Sequence, residues 1–182
     1  PVPDDVTPVV VVPTTLAGAG LSMLAGVSAA PASGLVDAPA DGGVGGPALM
    51  PPLAVYDPEL VAATPDDVLA GSAMNGFDKG VEALYASTRT PITDATAVRG
   101  TRLLSGSLPE LTDDTVDADA LDRAVAGIVL VQYGISTRSA LKISVIHGYG
   151  HALRHHFGIQ QGTAHAVVAP HVLAYLFDEV DA

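Results

Sequence analysis

Two helix-start signals, at Thr64 and Thr90, constrain the fold of this sequence more than any other feature. Thr64 is followed by Pro65 and then two aspartates, which is the order favoured from the N-cap through the first turn of a helix. Thr90 is likewise followed by a proline. We therefore predict one helix over residues 64–87 and a second over residues 90–107.

Three more helices are predicted toward the C-terminus. Asp117 begins one that runs to about residue 134, and Gly158 ends another that begins near Ser139. A last helical segment covers residues 162–180 and is expected to be interrupted at Pro170.

The sequence before the first helix has a different character. Residues 7–12 are apolar and β-branched, which predicts a buried strand, and residues 53–56 are a second strand candidate. Residues 28–50 are rich in Gly, Pro, Ala and Asp, which predicts turns and irregular structure. The chain thus divides into a strand-containing segment, 1–60, and a helical segment, 61–182.

The charge balance excludes several kinds of partner. Twenty acidic residues face eight basic ones, for a net charge of −12. Such a field repels nucleic acid and anionic membranes, so neither is an expected partner. An acidic, lysine-poor chain with 48% hydrophobic residues is typical of a folded protein from a halophilic cytoplasm, where salt screens the repulsion.

Compartment and covalent chemistry are also constrained. The chain has no cysteine, which excludes disulfides and thiolate metal sites. No run approaches the roughly 18 apolar residues of a membrane span, and the first residues lack the basic region of a secretory signal. We expect a cytoplasmic protein.

All six histidines lie between His147 and His171. His147, His151 and His155 follow at intervals of four, so they share one face of a predicted helix. They could hold a metal or act in acid–base chemistry, or form a polar stripe without a function. No acid lies between residues 142 and 177 to complete a zinc site.

A second cluster lies on the first predicted helix. Asn75, Lys79 and Glu82 place an amide, an ammonium and a carboxylate on one stripe. The alternative is a solvent-exposed Lys79–Glu82 salt bridge, worth less than about 1 kcal/mol.

Several segments, in order, resemble iron-containing alcohol dehydrogenases, and best of all the maleylacetate reductase branch. The segments are VPTTLAG at 12–18, VYDPEL at 55–60, MNGFDKGVEALY at 74–85, HGYGHALRHHFGIQQG at 147–162 and HAVVAPHVLAY at 165–175. The resemblance implies an α/β nucleotide-binding segment followed by an all-helical domain. This is the dehydroquinate synthase-like architecture of iron-type alcohol dehydrogenases, here incomplete. On this reading, residues 1–60 are the C-terminal part of the dinucleotide-binding domain, and 61–182 are a truncated helical domain.

The resemblance also assigns site residues. The family's four metal-ligand positions fall at Asn75, Lys79, His147 and Gln161, and only His147 is a ligand-type residue. No tightly bound metal is therefore expected. The histidine near the nicotinamide falls at His151, which we expect to be the proton donor, with Lys79 as the electrophile in place of the metal. Asn75, His147 and Gln161 are expected to bind substrate.

The nucleotide loop of the family corresponds to Thr14, Thr15, Leu16 and Gly18, which implies NAD or NADP as cofactor. The loop departs from the family at Ala19-Gly20, where a hydroxyl and a glutamate are usual.

Three functions are compatible with these residues. The first is a metal-independent NAD(P)-dependent oxidoreductase that transfers hydride to or from a small carbonyl or alcohol substrate. The second is a non-catalytic or truncated relative that keeps only the fold. The third is a metalloprotein using His147, His151 and His155. Apolar helix faces left uncovered lead us to expect a homodimer.

Overall fold

A computed structural model describes residues 6–112, 116–136 and 145–180 of the chain. Strands come first and α-helices follow, as the resemblance implies. The strands are β1 (Val10–Val11), β2 (Leu24–Ala29), β3 (Ala40–Gly45) and β4 (Leu53–Ala54). The helices are α1 (Pro58–Ala62), α2 (Asp66–Tyr85), α3 (Pro91–Ser107), α4 (Ala118–Ile135), α5 (Val145–Phe157) and α6 (Gln161–Glu179). The domain boundary at residue 60 stays a prediction.

The first strand is shorter and more exposed than predicted. β1 pairs in parallel with β4, with Val10 opposite Leu53 and Val11 opposite Ala54. Val10 is 59% exposed. The prediction of a buried strand was wrong for this segment because, within the part of the chain that the structure describes, β4 is its only partner.

Residues 28–50 contain regular structure that the sequence did not reveal. β2 and β3 form an antiparallel hairpin whose register runs from Leu24 opposite Gly45 to Ala29 opposite Ala40. The prediction of an irregular segment was wrong. Backbone pairing builds the hairpin, and its strands lack the alternation of buried and exposed side chains by which a strand is recognised.

Helix α2 begins one residue later than a cap at Thr64 would place it. Pro65 occupies the N-cap position with ψ 140°, and no side chain caps the helix. The Thr64 hydroxyl instead donates to the backbone carbonyl of Thr14. The capping prediction was wrong because the Thr64 hydroxyl forms its hydrogen bond with the loop that contains Thr14.

The other predicted helix ends are confirmed where the structure describes them. Thr90 forms a reciprocal capping box with Thr93, and Asp117 caps α4 by accepting from the amide of Ala120. Gly158 ends α5 with φ of 69°, a left-handed conformation that favours glycine. The predicted start of α5 near Ser139 lies outside the described residues.

Helix α6 is continuous where an interruption was predicted. It runs through Pro170 without a break, so that prediction was wrong. A proline costs one backbone hydrogen bond and a clash with the preceding turn. The packing of α6 against α2 and α5 holds the helix across that position.

The core lies between α2, α3 and α4. Its buried side chains include Leu69, Leu104, Leu121, Ile128 and Val131.

Glycines let α6 approach α2 closely: a β-carbon on Gly162 of α6 would overlap the carbonyl of Gly71 on α2. This approach brings α6 against the polar face of α2.

None of the helices in the described parts of the chain is both long and apolar enough to cross a membrane.

Candidate active site

Helix α2 presents polar side chains to two different neighbours. Asp78 and Glu82 are four residues apart, so they lie on one face of the helix, and both are fully buried. Lys79 turns instead toward the loop that follows β1. The stripe predicted from Asn75, Lys79 and Glu82 is therefore divided between two sets of contacts.

Glu82 binds the first described residues of α5. Its Oε2 lies 2.6 Å from Nδ1 of His147, and its Oε1 accepts from the amides of Ile146 at 2.8 Å and His147 at 3.2 Å. Free amides at this end of a helix favour a negative charge. The alternative of a solvent-exposed Lys79–Glu82 salt bridge is wrong, since Glu82 is buried against α5.

Asp78 faces His165 of α6. Asp78 Oδ2 lies 3.2 Å from His165 Nδ1, and both side chains are completely buried. The two atoms are off the line that a hydrogen bond prefers. The rings of His165 and His147 meet edge to face with their centroids 4.3 Å apart. Gly150 of α5 makes room for the His165 ring, because a β-carbon there would overlap it.

Burial and charge oppose each other in this cluster. Burial raises the pKa of Asp78, and contact with His165 works against that rise. Burial lowers the pKa of His147, whereas its bond to the Glu82 carboxylate raises it. Each buried carboxylate is thus matched with one imidazole.

Lys79 holds the loop after β1 in place. Its Nζ donates to the carbonyl of Ala17 at 2.7 Å and to Oε1 of Gln132 on α4 at 2.9 Å. Gln132 then donates to the Ser136 hydroxyl at 3.0 Å, which donates to the carbonyl of Leu21 at 2.7 Å. Burial lowers the pKa of Lys79 to about 8.

The loop itself is fixed through its backbone. The amide of Leu16 donates to the hydroxyl of Ser72 on α2 at 3.0 Å, and the Leu16 side chain is fully buried in the core. Leu16 therefore supports the loop and presents no side chain to a cofactor. Thr14 is exposed and Thr15 is half-buried, so these two polar side chains of the loop are accessible to a ligand.

Gly18 has φ of 72°, and a β-carbon there would lie 3.0 Å from Oε1 of Gln132. A larger residue would therefore be strained and would crowd the amide that holds Lys79.

His151 lies at the wall of an open cavity of about 550 Å³ between the β2–β3 hairpin and α5. Gln161, the first residue of α6, lies beside it, with its Nε2 3.5 Å from His151 Nε2 and 3.4 Å from His165 Nε2. The cavity is lined by Gly26, Val27, Ser28, Gly42, His151, Arg154 and His155. His151 and Gln161 are thus brought together, as the resemblance implies.

Of the other two residues assigned to substrate, His147 is buried and Asn75 is half-buried. His147 Nε2 and Asn75 Oδ1 lack a hydrogen-bond partner among the residues that the structure describes. Neither atom is exposed, so their assignment to substrate stays a prediction.

The geometry speaks against a metal held by the histidine face of α5. His147 is buried against Glu82, whereas His151 and His155 are exposed. Within residues 6–112, 116–136 and 145–180, no three His, Cys, Asp or Glu side chains form a group that could hold a metal ion.

Comparison with known proteins decides the family. The model for the C-terminal part of Fe-containing alcohol dehydrogenases matches residues 69–182. The chain belongs to the iron-containing alcohol dehydrogenase family. This confirms the resemblance found in the sequence.

Maleylacetate reductases are among its relatives in this family. Maleylacetate reductase 2 of Cupriavidus pinatubonensis is 33% identical over 141 residues, which is 75% of this chain and 36% of that protein. The crystal structure of maleylacetate reductase from a Rhizobium species superimposes with a TM-score of 0.81 at 28% identity, covering 95% of this chain and 46% of that one. The chain therefore spans less than half the length of these relatives.

A more distant structure shares the fold. Sulfoacetaldehyde reductase from Bifidobacterium kashiwanohense, solved in complex with NAD⁺, superimposes with a TM-score of 0.85 at 18% identity. That superposition covers 96% of this chain and 44% of the other. It confirms the architecture of a strand-containing segment followed by helices.

The residues that the resemblance assigns to the family's metal positions do not fit a metal ion. The Lys79 ammonium has no lone pair and donates to two oxygens. His147 contacts Glu82 through Nδ1 and keeps an unpartnered Nε2 among the described residues, so it is the one strong ligand of the four positions. Asn75 and Gln161 offer neutral amides, which are weaker ligands than the imidazole or carboxylate of typical iron and zinc sites.

Sequence reasoning missed the partners of the predicted residues. Asp78, His165, Gln132 and Ser136 were not assigned a role, although each contacts a predicted residue or the loop. The spacing of Asp78 and Glu82 was one available signal. The lack of acids between residues 142 and 177 was another, because the carboxylates that face the histidines then have to come from a different helix.

Proposed function

We propose that this chain is the catalytic part of an oxidoreductase that transfers hydride between NAD(H) or NADP(H) and a small carbonyl or alcohol substrate without a metal. The observation that carries the proposal is the position of His151 in the cavity wall between the hairpin and α5. The reductase relatives support the reaction class.

The cavity suits a flat cofactor ring. Gly26 and Gly42 contribute bare backbone to its wall, and nothing lies within 4 Å of where their β-carbons would be. Such a wall allows close approach of a ring or a phosphate group. Thr14 and Thr15 on the neighbouring loop would contact the rest of the nucleotide, and the bond from Lys79 to Ala17 would keep that loop in place.

When bound in the cavity, a reduced nicotinamide would be the source of hydride for the carbonyl carbon. His151, in its protonated form, gives a proton to the carbonyl oxygen as negative charge develops there. One hydride and one proton convert the carbonyl to an alcohol, and the reverse reaction returns the proton to the imidazole. Lys79, at a former ligand position, adds positive charge to this region of α2.

The reaction is tested by the absorbance of the reduced nicotinamide in the presence of small carbonyl compounds and a chelator. His151→Gln should lower turnover by about 100- to 10,000-fold, the usual contribution of a positioned acid. His156→Gln is the matched control, because His156 is on the same helix, exposed and outside the cavity lining. Equal turnover in the two variants would refute the role of His151.

The second candidate is a relative that keeps the fold without turnover. It is favoured by the four positions that the resemblance assigns to metal ligands, of which only His147 is a ligand-type residue. Titration with NADH and NADPH, followed by nicotinamide fluorescence, separates the candidates. Binding supports the oxidoreductase, and no binding by the chain or by any longer reading frame that contains it supports the fold-only relative.

A further inference from the structure

A row of four polar side chains connects the buried interior of the helical segment to the cavity. Asp78 Oδ2 lies 3.2 Å from His165 Nδ1, and His165 Nε2 lies 3.4 Å from Gln161 Nε2. The same Gln161 nitrogen lies 3.5 Å from Nε2 of His151. The row begins with two completely buried groups and ends at an exposed histidine.

The buried end of this row determines where the hydrogen of His165 lies. Nδ1 faces the Asp78 carboxylate, and an ionised carboxylate only accepts hydrogen bonds. Although the two atoms are off the line of a hydrogen bond, the negative charge attracts a hydrogen on Nδ1 and repels a lone pair there. Nδ1 is therefore the favoured position of the hydrogen, which leaves a lone pair on Nε2 of the neutral ring.

Gln161 carries this constraint to the next ring. Its amide nitrogen has two hydrogens, enough to donate one to His165 Nε2 and one to His151 Nε2. The opposite orientation of the amide would require Nε2–H on His165 and would place a bare Nδ1 against Asp78. The orientation with the nitrogen between the two rings is the one compatible with the carboxylate.

We propose that Gln161, supported by His165 and Asp78, is a positioning residue that fixes the ring orientation and the Nδ1–H tautomer of His151. In the neutral ring the contact occupies Nε2 of His151, so Nδ1–H is the group left to donate a hydrogen bond to a substrate oxygen. The proposal rests on the proposed function only for its catalytic consequence. The tautomer itself is a property of the chain.

The helices around this row of side chains are held in place by close glycine contacts. Because Gly150 has no side chain, the His165 ring fits against α5. The close contact between Gly162 and Gly71 holds the first turn of α6, which begins with Gln161, against α2. Gln161 thus lies next to the point at which α6 crosses α2.

The tautomers are tested by ¹⁵N spectra of the histidine rings in the 182-residue chain at about pH 8, where an ordinary histidine is neutral. We expect Nδ1–H at both His151 and His165, and the Nε2–H form that free imidazole side chains prefer at exposed His155 and His156. In Gln161→Leu, His151 should change to Nε2–H while His165 keeps Nδ1–H. Far-UV circular dichroism shows that the variant is folded, and the unchanged His165 signal serves as the internal control.

Two results would overturn the proposal: Nε2–H at His151 in the unmodified chain, or a His151 signal that does not change in Gln161→Leu. A chain without any turnover would refute the proposed function, and the ring spectra would still decide whether Gln161 positions His151.

Discussion

At the scale of single residues, the charged side chains in the interior of the site each have hydrogen-bond partners. Lys79 donates to Ala17 and Gln132, and Glu82 accepts three N–H groups from α5. An unpaired charge at either position would be costly in the interior. Lys79 and Glu82, which the sequence suggested as a pair, each have a better partner on another element.

Lys79 gives the chain a dependence of stability on pH. The pKa of Lys79 is about 8 in the folded protein, whereas that of an exposed lysine, as in the unfolded chain, is 10.5, because burial disfavours the ammonium. Between these values the unfolded chain binds more protons, so stability should rise with pH through that window. A difference of this size corresponds to about 3 kcal/mol at most.

The test is the melting temperature at several pH values, compared with Lys79→Met. Relative to this variant, the unmodified chain should gain stability from about pH 8 to pH 10. Parallel curves for the two proteins over that range would show that the ammonium is not desolvated in solution.

The same residue tests the electrophile hypothesis. If the ammonium replaces the metal in catalysis, Lys79→Ala should lower kcat by about 100- to 1,000-fold, as for one lost oxyanion donor. If it acts only through the loop bond to Ala17, the KM of the nucleotide should rise while kcat changes little. Steady-state kinetics of the active protein separate the two roles.

Glu82 is expected to be important for stability. In Glu82→Gln, an amide group would face the N–H groups of Ile146 and His147, and the free energy of unfolding should fall by about 3 kcal/mol. Urea denaturation measures the change. The matched control is Glu110→Gln, since its 2.8 Å salt bridge with Arg123 is partly exposed and worth less than about 1 kcal/mol. Similar losses for the two variants would contradict a special role for Glu82.

At the scale of secondary structure elements, the site depends on how closely α6 crosses α2. The crossing places His165 against Asp78 and Gln161 beside His151. Glycines at the contact permit this distance. Gly148 on the neighbouring helix α5 differs from them, because nothing lies within 4 Å of its would-be β-carbon.

Gly162→Ala should therefore be strongly destabilising. The new methyl would overlap the Gly71 carbonyl, and separating the helices should cost about 3 kcal/mol or more. Gly148→Ala is the control and should raise stability by up to about 1 kcal/mol, because alanine is the better helix former in open space. Equal unfolding midpoints for the two variants would show that the helices do not cross this closely.

At the scale of the whole molecule, charge sets the conditions in which the chain is stable. Twenty acids against eight bases repel one another at low ionic strength. The Debye length falls from about 10 Å at 0.1 M salt to about 3 Å at 1 M, which removes most of this repulsion.

The melting temperature should consequently rise between about 0.1 and 2 M salt. Sodium chloride is compared with an equal osmolarity of sucrose, which is excluded from the surface without screening charge. A flat or falling curve in salt would contradict the expectation of a halophilic protein.

Metal content is the second property of the whole molecule to test. Because Lys79 and the two amides are poor ligands, we expect no stoichiometric iron or zinc after dialysis against a chelator. Elemental analysis of the dialysed protein checks this. Retention of one metal per chain, or anomalous scattering beside His147 in crystals, would contradict it.

The features that the sequence determined by itself depended either on residues close together in the chain or on resemblance to a known family. Thr90 and Asp117 marked helix starts because a side-chain cap depends on residues only three positions away. The family resemblance gave the order of elements and brought His151 and Gln161 into one site, since matching positions in related chains occupy matching places in the fold.

Only the tertiary structure decided which groups pair. Glu82 binds His147, 65 residues away, and Lys79 binds Gln132, 53 residues away, and no local rule relates such positions. The β2–β3 hairpin escaped notice because backbone hydrogen bonds form it without a buried face. Likewise Thr64 lost its capping role, and α6 continued through Pro170, because contacts with other elements outweighed the local preference of each residue.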